Sequence, residues 1–174
     1  MEANIREREA AVLPDFDAFF RDTFGAVARA AALVARDPGV GQELAQEAFF
    51  RLYERWPRIQ SAEHARRFAF RVAINLARSH LRKHLRVALA GLEPRAAGPD
   101  PVTRADEWLA IRSALEGLTP RRRAAVVLVD YVGMDAAETG EVLGISAGAV
   151  RALVMRGRRD LRSRLGTEDR EVPG

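Results

Sequence analysis

Hydrophobic residues recur along most of the chain at the three- and four-residue spacing of an amphipathic helix. The first series runs through Phe16, Phe20, Phe24 and Val34, which places these residues on one face of a helix. Similar series predict helices over 42–56, 66–89, 108–118, 135–143 and 146–165, and another helix starts at Pro120 with Thr119 as its N-cap. No strand signal competes with the helical one, so the expected fold class is all-α.

Proline and glycine interrupt this pattern at several places. The sequence RDPGVG at 36–41 breaks the first helix, Pro57 ends the second, and a polar loop over 58–65 precedes the third. The segment 91–106, GLEPRAAGPDPVTRAD, has no periodicity and is typical of a flexible linker. We therefore expect two small helical domains, 15–90 and 107–165, with tails at 1–14 and 166–174.

The segment from 135 to 165 predicts a helix–turn–helix unit. Asp135 and Glu138 form a capping-box pattern, and Gly140 in mid-helix indicates that another helix approaches closely. Gly144 can end this helix in the left-handed conformation, and Ser146 can cap the next one. In such a unit, the N-terminal half of the second helix faces base edges in the DNA major groove.

The outward positions of that second helix are the candidate DNA contacts. Arg151 is the best candidate for reading a base, because its planar guanidinium can donate twice to guanine. The later arginines are expected to contact phosphates, which position the helix without reading sequence. The full candidate set is Ser146, Ala147, Gly148, Arg151, Ala152, Met155, Arg156, Arg158 and Arg159. On this segment alone, a surface helix with solvated arginines remains an alternative.

Charge is segregated along the chain, although the net charge is only +4. Residues 51–95 hold eleven bases and three acids, and 146–174 hold seven bases and four acids, whereas 1–50 and 96–145 are net acidic. A GC-rich coding bias would explain why arginine outnumbers lysine, but it would not explain the segregation. Clustered cations indicate a polyanionic partner, and the acidic blocks indicate protein contacts.

Several function classes find no support in the sequence. The absence of cysteine excludes disulfides and thiolate metal sites and favours a reducing, cytoplasmic location. No apolar run is long enough to span a membrane, and the acidic start is unlike a signal peptide, so no membrane insertion is expected. His80 and His84 have the i, i+4 spacing of some metal ligands, but arginine and lysine surround them. We expect no metal, no cofactor and no enzymatic activity.

Three stretches, taken together, carry a family resemblance. GQELAQEAFFRLYERW at 41–56 is similar to E-D-L-x-Q-E-x-F-x-R-x-W, and RRFAFRVAINLARSHLRKH at 66–84 is similar to W-L-Y-R-I-A-x-N-x-x-x-D-x-x-R. The third stretch is the helix–turn–helix segment with the residues before it, from LTPRRR at 118 onward. In this order and spacing they resemble regions 2 and 4 of the sigma-70 superfamily, extracytoplasmic-function branch. The departures include Ser79 for aspartate, Thr139 and Gly140 for an aliphatic residue and alanine, and Gly157 for alanine.

The resemblance implies one large protein partner and two DNA contacts. Region 2 would dock on the clamp coiled coil of core RNA polymerase, and region 4 would read the −35 duplex of promoter DNA. The flap of core polymerase is a further expected contact of the chain. The polymerase-binding residues carried over are Glu43, Gln46, Glu47 and Arg51. The residues expected to hold the melted −10 strand are Arg66, Arg67, Arg71, Asn75, Arg78, Ser79, Arg82 and Lys83. An anti-sigma factor is a further kind of partner that many relatives have, and nothing in the sequence identifies one.

Two other function classes compete with this interpretation. A helix–turn–helix regulator could bind duplex DNA as a dimer, without being a polymerase subunit, but it would need a dimerisation or ligand-binding domain where the region-2-like half lies. A helical enzyme is disfavoured because no catalytic constellation assembles in the sequence. The sequence therefore predicts a transcription initiation factor.

Overall fold

The computed structural model describes residues 15–90 and 105–168, and within the second range it describes side chains only over 109–163. Every regular element in these ranges is helical, which confirms the expected fold class. The helices are α1 (Phe16–Ala35), α2 (Pro38–Arg55), α3 (Ala62–Leu89), α4 (Ala105–Leu115), α5 (Pro120–Val126), α6 (Ala136–Leu143) and α7 (Ala147–Glu168). A short 3₁₀ turn, Trp56–Arg58, follows α2, and a π-helical turn, Val127–Tyr131, continues α5.

Helices α1, α2 and α3 pack on one another to form the first half of the molecule. Their contact is rich in aromatic side chains, which pack edge to face as their quadrupoles favour. The rings of Phe16 and Trp56 are 5.1 Å apart at 87°, and those of Phe20 and Phe49 are 5.1 Å apart at 82°. Leu52, Phe70 and Ile74 fill the centre of this core.

Two helix starts predicted from the sequence were wrong, and in both cases the cap lies earlier. Helix α2 begins at Pro38 rather than 42, because Asp37 accepts from the Val40 amide at 3.0 Å and proline fits the first helical position. Helix α3 begins at Ala62 rather than 66, because Ser61 caps it through the His64 amide. On the outer side of α2, Phe50 is 60% exposed, whereas its neighbour Phe49 is buried.

The second half confirms the predicted helix–turn–helix unit. Asp135 and Glu138 form a complete capping box, and Gly144 ends α6 with a φ of 68°. A Cβ on Gly140 would lie 2.6 Å from the Ile145 carbonyl oxygen, so the close neighbour that requires glycine is the backbone of the turn rather than another helix. The Ser146 hydroxyl then caps α7 by accepting from the Ala149 amide at 3.2 Å.

The predicted linker and tails lie mostly outside the described residues. Positions 105–106, assigned to the linker from sequence, form the start of α4 instead. Positions 166–168, assigned to the C-terminal tail, belong to α7. Residues 1–14, 91–104 and 169–174 are not described.

The two halves pack against each other across a shared core, an arrangement that the sequence did not predict. Helix α3 contacts α5 and α6, and α1 contacts α5 and the π-helical turn. Buried residues of the second half, such as Leu128 and Met134, belong to the same hydrophobic cluster as Phe19 and Phe70.

Gly157→Ala is expected to destabilise the protein, because a Cβ there would meet Val126 Cγ2 at 2.6 Å where α7 crosses α5. Overpacking of this kind outweighs the gain in helix propensity, which leaves a net loss of about 1–2 kcal/mol in unfolding free energy. Urea denaturation followed by circular dichroism measures it. The matched control is Gly148→Ala on the same helix, where the nearest atom would be 3.9 Å away. If both variants gained stability, the close packing at Gly157 would be refuted.

Candidate nucleic-acid interface

Seven of the eight candidate strand-binding residues lie on one face of α3, and Arg66 lies beside that face, four positions before the buried Phe70. We call the whole set the α3 cationic face (Arg66, Arg67, Arg71, Asn75, Arg78, Ser79, Arg82 and Lys83). Arg67, Arg71, Asn75, Ser79 and Lys83 follow one another at four-residue spacing and therefore form a continuous stripe. Most of the face is exposed, whereas Arg66, Arg67 and Arg78 are half-buried. The Arg66 guanidinium lies over the Phe70 ring at 5.3 Å, so it is held by a cation–π contact.

Two grooves border this face and meet at Phe68 and Arg71. The smaller, of about 380 Å³, is also lined by Gln60, Ser61 and His64 at the N-terminal end of α3. The larger, of about 670 Å³, lies between α2 and α3 and includes Asn75. Polar groups beside an aromatic side chain are what an unstacked base requires. The sequence patterns did not identify Gln60, Ser61 or His64 individually as candidate site residues. The signal that could have found them is the Ser61 cap, which extends α3 into this region.

Three polar groups on the α3 cationic face interact with one another or with the second half. Asn75 Oδ1 accepts from Arg78 Nη1 at 3.2 Å. The pKa of Arg78 is lowered by burial first, and then by the neighbouring charges of Arg121 and Arg82. Arg121 belongs to α5, so the second half brings a positive charge towards this positive face.

The candidate polymerase-binding residues form the α2 polar face (Glu43, Gln46, Glu47 and Arg51). All four side chains are exposed. Glu47 and Arg51 form an ion pair of 2.7 Å at i, i+4 spacing, and pairs of this kind stabilise an exposed helix only slightly. The exposed rings of Phe50 and Tyr53 lie on the same helix. An exposed aromatic pair beside polar side chains is typical of a surface that contacts another protein.

The start of α7 presents the predicted recognition residues to solvent. Arg151, Arg156 and Arg159 are exposed, as are Ser146 and Gly148. Met155 is 66% exposed, whereas Ala147 and Ala152 are half-buried. Arg151 and Met155 also line an open groove of about 490 Å³ beside α7.

Arg158 differs from the other α7 arginines because it is held within the protein. Its Nη2 donates to Asp130 Oδ1 at 2.5 Å and its Nε donates to Asp130 Oδ2 at 3.2 Å. This bidentate pair raises the pKa of Arg158 and connects α7 to the π-helical turn. A phosphate contact by Arg158 would therefore compete with Asp130.

Arg123 is a structurally important residue that the sequence interpretation missed. It is fully buried, and its guanidinium donates to the carbonyl oxygens of Leu33 (3.1 Å) and Leu115. Burial lowers the pKa of Arg123 to about 10, with Arg36 as the next cause. A signal existed, since Arg123 precedes the buried Val126 and Val127 by three and four positions and so shares their helix face.

His80 and His84 stack with ring centroids 6.3 Å apart. Over the described residues, no group of three or more histidine, aspartate or glutamate side chains is placed to hold a metal ion. The same part of the chain contains no helix long and apolar enough to cross a membrane.

These features define a class of protein: a helical, two-part protein with a helix–turn–helix unit in one half and a cationic helix face in the other, a combination typical of nucleic-acid-binding proteins. Comparison with known proteins agrees with that class. A family model described as Sigma-70 region 2 matches residues 19–87, and one described as Sigma-70, region 4 matches residues 108–161. Together they cover the two halves in the order that the sequence predicted.

Individual proteins show the same relationship. The RNA polymerase sigma-E factor of Streptomyces coelicolor is 30% identical over 156 residues, which are 89% of this chain and 88% of that protein. The ECF RNA polymerase sigma factor SigE of Mycolicibacterium smegmatis is 29% identical over 172 residues, covering 94% and 66%. The sigma factor RpoE from Bartonella quintana, co-crystallised with the anti-sigma factor NepR, has the same fold with a TM-score of 0.71. That match has 18% identity and covers 87% of this chain and 97% of the other.

The chain therefore belongs to the extracytoplasmic-function branch of the sigma-70 family of RNA polymerase sigma factors. Sigma factors bind core RNA polymerase and promoter DNA. The alternative of a helix–turn–helix regulator that acts without polymerase is not favoured.

Proposed function

We propose that this sigma factor binds promoter DNA through two surfaces and core polymerase through a third. The recognition residues of α7 read the −35 duplex, the α3 cationic face captures the melted −10 strand, and the α2 polar face docks on the clamp coiled coil of core polymerase. The observation that carries this division is the pairing of an exposed recognition helix in one half with a grooved cationic face in the other.

The chemistry of each surface supports its role. Cations along α3 can follow the phosphates of a single strand, while Phe68, Asn75 and the polar groove residues offer a ring face and hydrogen-bonding edges to an extruded base. On α7, the exposed residues of the first turns are placed as in other helix–turn–helix readers, and exposed arginines continue along the helix where they can contact phosphates. The chain itself catalyses nothing and acts in the cytoplasm, where the polymerase supplies the catalysis. An anti-sigma factor is a further proposed partner.

The test is run-off transcription with purified core polymerase on a library of promoter fragments. The chain should give specific transcripts only when core polymerase is present, and neither component alone should do so. Tight, specific duplex binding by the chain alone, without any specific transcript in the presence of core polymerase, would overturn the proposal in favour of a conventional regulator.

Asn75→Ala is expected to impair promoter melting more than polymerase binding. The variant removes an exposed amide from the middle of the α3 cationic face, and the loss of one hydrogen bond to a base corresponds to about 1 kcal/mol, or roughly a five-fold effect. Permanganate reactivity of the −10 thymines measures melting, and a titration with core polymerase measures binding. The matched control is Gln42→Ala, an exposed amide outside both surfaces. An equal loss in melting and in core binding would contradict the assignment.

A further inference from the structure

Helix α7 crosses α5 at one close point. A Cβ on Gly157 would lie 2.6 Å from Val126 Cγ2, so the two helices meet there without a side chain of α7 between them. Both residues are buried. Apolar packing of this kind is non-directional, so it sets the distance between the helices more firmly than the angle between them. The angle of α7 requires directional contacts.

Two ion pairs lie on opposite sides of this crossing, and we call them the α7 ion pairs. Arg122 Nη1 donates to Asp160 Oδ2 at 2.7 Å. Arg158 donates to both carboxylate oxygens of Asp130, at 2.5 and 3.2 Å. Arg122 precedes Val126 by four residues and Asp130 follows it by four. One pair therefore joins α7 to the chain before the crossing, and the other joins it to the chain after the crossing.

The placement of the pairs on α7 opposes rotation of the helix in either direction. Successive residues of an α-helix are about 100° apart around its axis. Arg158 therefore lies about 100° to one side of Gly157, and Asp160 lies about 60° to the other side. Rotation of α7 in either direction moves one of these side chains away from its partner.

The order of the charges also opposes a wrong orientation of α7. The α5 side of the crossing carries a cation, Arg122, and then an anion, Asp130. The α7 side carries a cation, Arg158, and then an anion, Asp160. An exchange of partners would bring arginine to arginine and aspartate to aspartate, and contacts between like charges disfavour such an arrangement.

The π-helical turn contributes to the position of Asp130. The Val132 amide donates to the Val127 carbonyl oxygen at 3.0 Å, an i to i+5 bond. Such a turn is wider than an α-helical one, so it changes the direction of the side chains that it carries relative to α5. π-Helical turns of this kind are frequent at functional sites.

Reading of a base by Arg151 depends on the angle of α7. Arg151 precedes Gly157 by six residues, which is about 9 Å along the helix axis. A rotation of about 20° moves a group that lies about 6 Å from the axis by about 2 Å. The donor–acceptor distance of a hydrogen bond varies only between about 2.7 and 3.2 Å, whereas the attraction between an arginine and a phosphate falls off slowly with distance. A change of angle should therefore reduce sequence discrimination more than general DNA affinity.

We propose that the α7 ion pairs set the angle of α7 for −35 recognition, with Arg122, Asp130 and Asp160 as positioning residues. Arg158 is then a positioning residue as well, instead of the phosphate contact expected from the sequence, because Asp130 accepts from two of its donors. Both pairs are partly exposed, and such pairs add little to the stability of a fold. A bidentate pair nevertheless adds geometric specificity. This inference rests on the proposed function of α7.

Asp160→Asn and Arg122→Asp test the first pair, since neither residue belongs to the candidate DNA contacts. Holoenzyme is assembled with core polymerase, and its affinity for a promoter fragment with the preferred −35 element is divided by its affinity for a fragment with a scrambled one. We expect this ratio to fall about three- to five-fold in each variant. The charge-reversed double variant, Arg122→Asp with Asp160→Arg, restores an ion pair and should return the ratio to within about two-fold of the wild-type value.

Glu116→Gln is the control for these variants. It removes one negative charge from the second half and breaks an ion pair with Arg36, away from α7. Its ratio should stay within about two-fold of the wild-type value. Circular dichroism establishes that each variant is folded at the assay temperature. Unchanged ratios in Asp160→Asn and Arg122→Asp would overturn the proposal, and so would a lowered ratio that the folded charge-reversed variant did not restore.

Asp130→Asn tests the second pair and the role of Arg158. The substitution releases the guanidinium, which can then bind a phosphate. Affinity for the scrambled fragment should rise, and the salt dependence of binding should increase by about one ion, while the ratio of affinities falls. Asp130→Glu retains the carboxylate and should behave as the wild type. A greater salt dependence with an unchanged ratio would show only competition for Arg158 and would overturn its positioning role.

The wild-type holoenzyme separates this proposal from the proposed function of α7. Equal affinities of the wild type for the preferred and the scrambled fragments would refute −35 recognition by α7 itself. A wild type that discriminates, together with ion-pair variants that discriminate equally well, would refute the positioning role and leave the proposed function intact.

Discussion

Arg123→Ala is expected to lower the free energy of unfolding by about 3–5 kcal/mol. The substitution leaves a cavity in the shared core, since Arg123 is among the largest fully buried side chains of the molecule. It also leaves the Leu33 carbonyl oxygen without the donor that satisfies it, and an unsatisfied buried acceptor costs about 1–3 kcal/mol. Urea denaturation, followed by circular dichroism and tryptophan fluorescence, measures the loss.

The burial of the Arg123 charge has the opposite effect on the free energy of unfolding. The pKa of Arg123 is lowered to about 10, so near pH 7 the charged guanidinium is less stable in the folded chain than in the unfolded one. The shift corresponds to roughly 3 kcal/mol. Replacing the arginine removes that cost. Arg123→Ala is therefore destabilising only because the stabilisation from the helix-end hydrogen bonds and from side-chain packing is larger than the cost of burying the charge. Arg123→Met separates these contributions, because it retains the volume and removes both the charge and the hydrogen bonds. Its stability should lie between those of the wild type and Arg123→Ala.

The control for Arg123 is its neighbour Arg121. Arg121 is exposed on the same helix and lies near the like charge of Arg78. Arg121→Ala is therefore expected to change the free energy of unfolding by less than about 0.5 kcal/mol, since surface substitutions rarely do more. If Arg123→Ala and Arg121→Ala had the same free energy of unfolding, the proposed role of the buried guanidinium would be wrong.

Local chemistry made much of this fold predictable. The Thr119 cap, the Asp135 capping box and the left-handed Gly144 depend only on residues within one turn of the helix. The two wrong helix starts, at α2 and α3, also had local causes. The glycines after Pro38 resembled a break, but Asp37 and Ser61 supplied stronger start signals.

The arrangement of the halves was not predictable in this way. Arg123 meets Leu33 across ninety positions of the chain, and no local pattern reports a contact of that range. Arg67 and Glu141 are similarly distant in sequence and each, taken alone, has the pattern of a solvated helix residue. The sequence therefore indicated the cationic residues of α3 and the arginines of α7 but predicted them on independent domains. The segregation of charge was a partial indication of this contact, since the acidic residues of 96–145 include Glu116 and Glu141, which pair with arginines of the first half.

Arg151→Ala is expected to weaken binding to the preferred −35 duplex by about 1–3 kcal/mol and to relax the preference at one position. Arg151 is exposed on the first turns of α7, where a side chain of a recognition helix reaches base edges. Its guanidinium can donate twice to one guanine, so the loss should be confined to the base pair that it reads. Selection from a randomised duplex library, with holoenzyme assembled from core polymerase, measures both the affinity and the preference.

Arg156→Ala provides the comparison, since Arg156 is an exposed cation further along the same helix. As a phosphate contact it should weaken all duplexes equally and reduce the salt dependence of binding by about one ion. Arg158 is a poorer comparison because its pair with Asp130 also holds α7 in place. If Arg151→Ala weakened every duplex to the same extent, Arg151 would be a backbone contact like Arg156, and base reading would have to come from the remaining exposed residues at the start of α7.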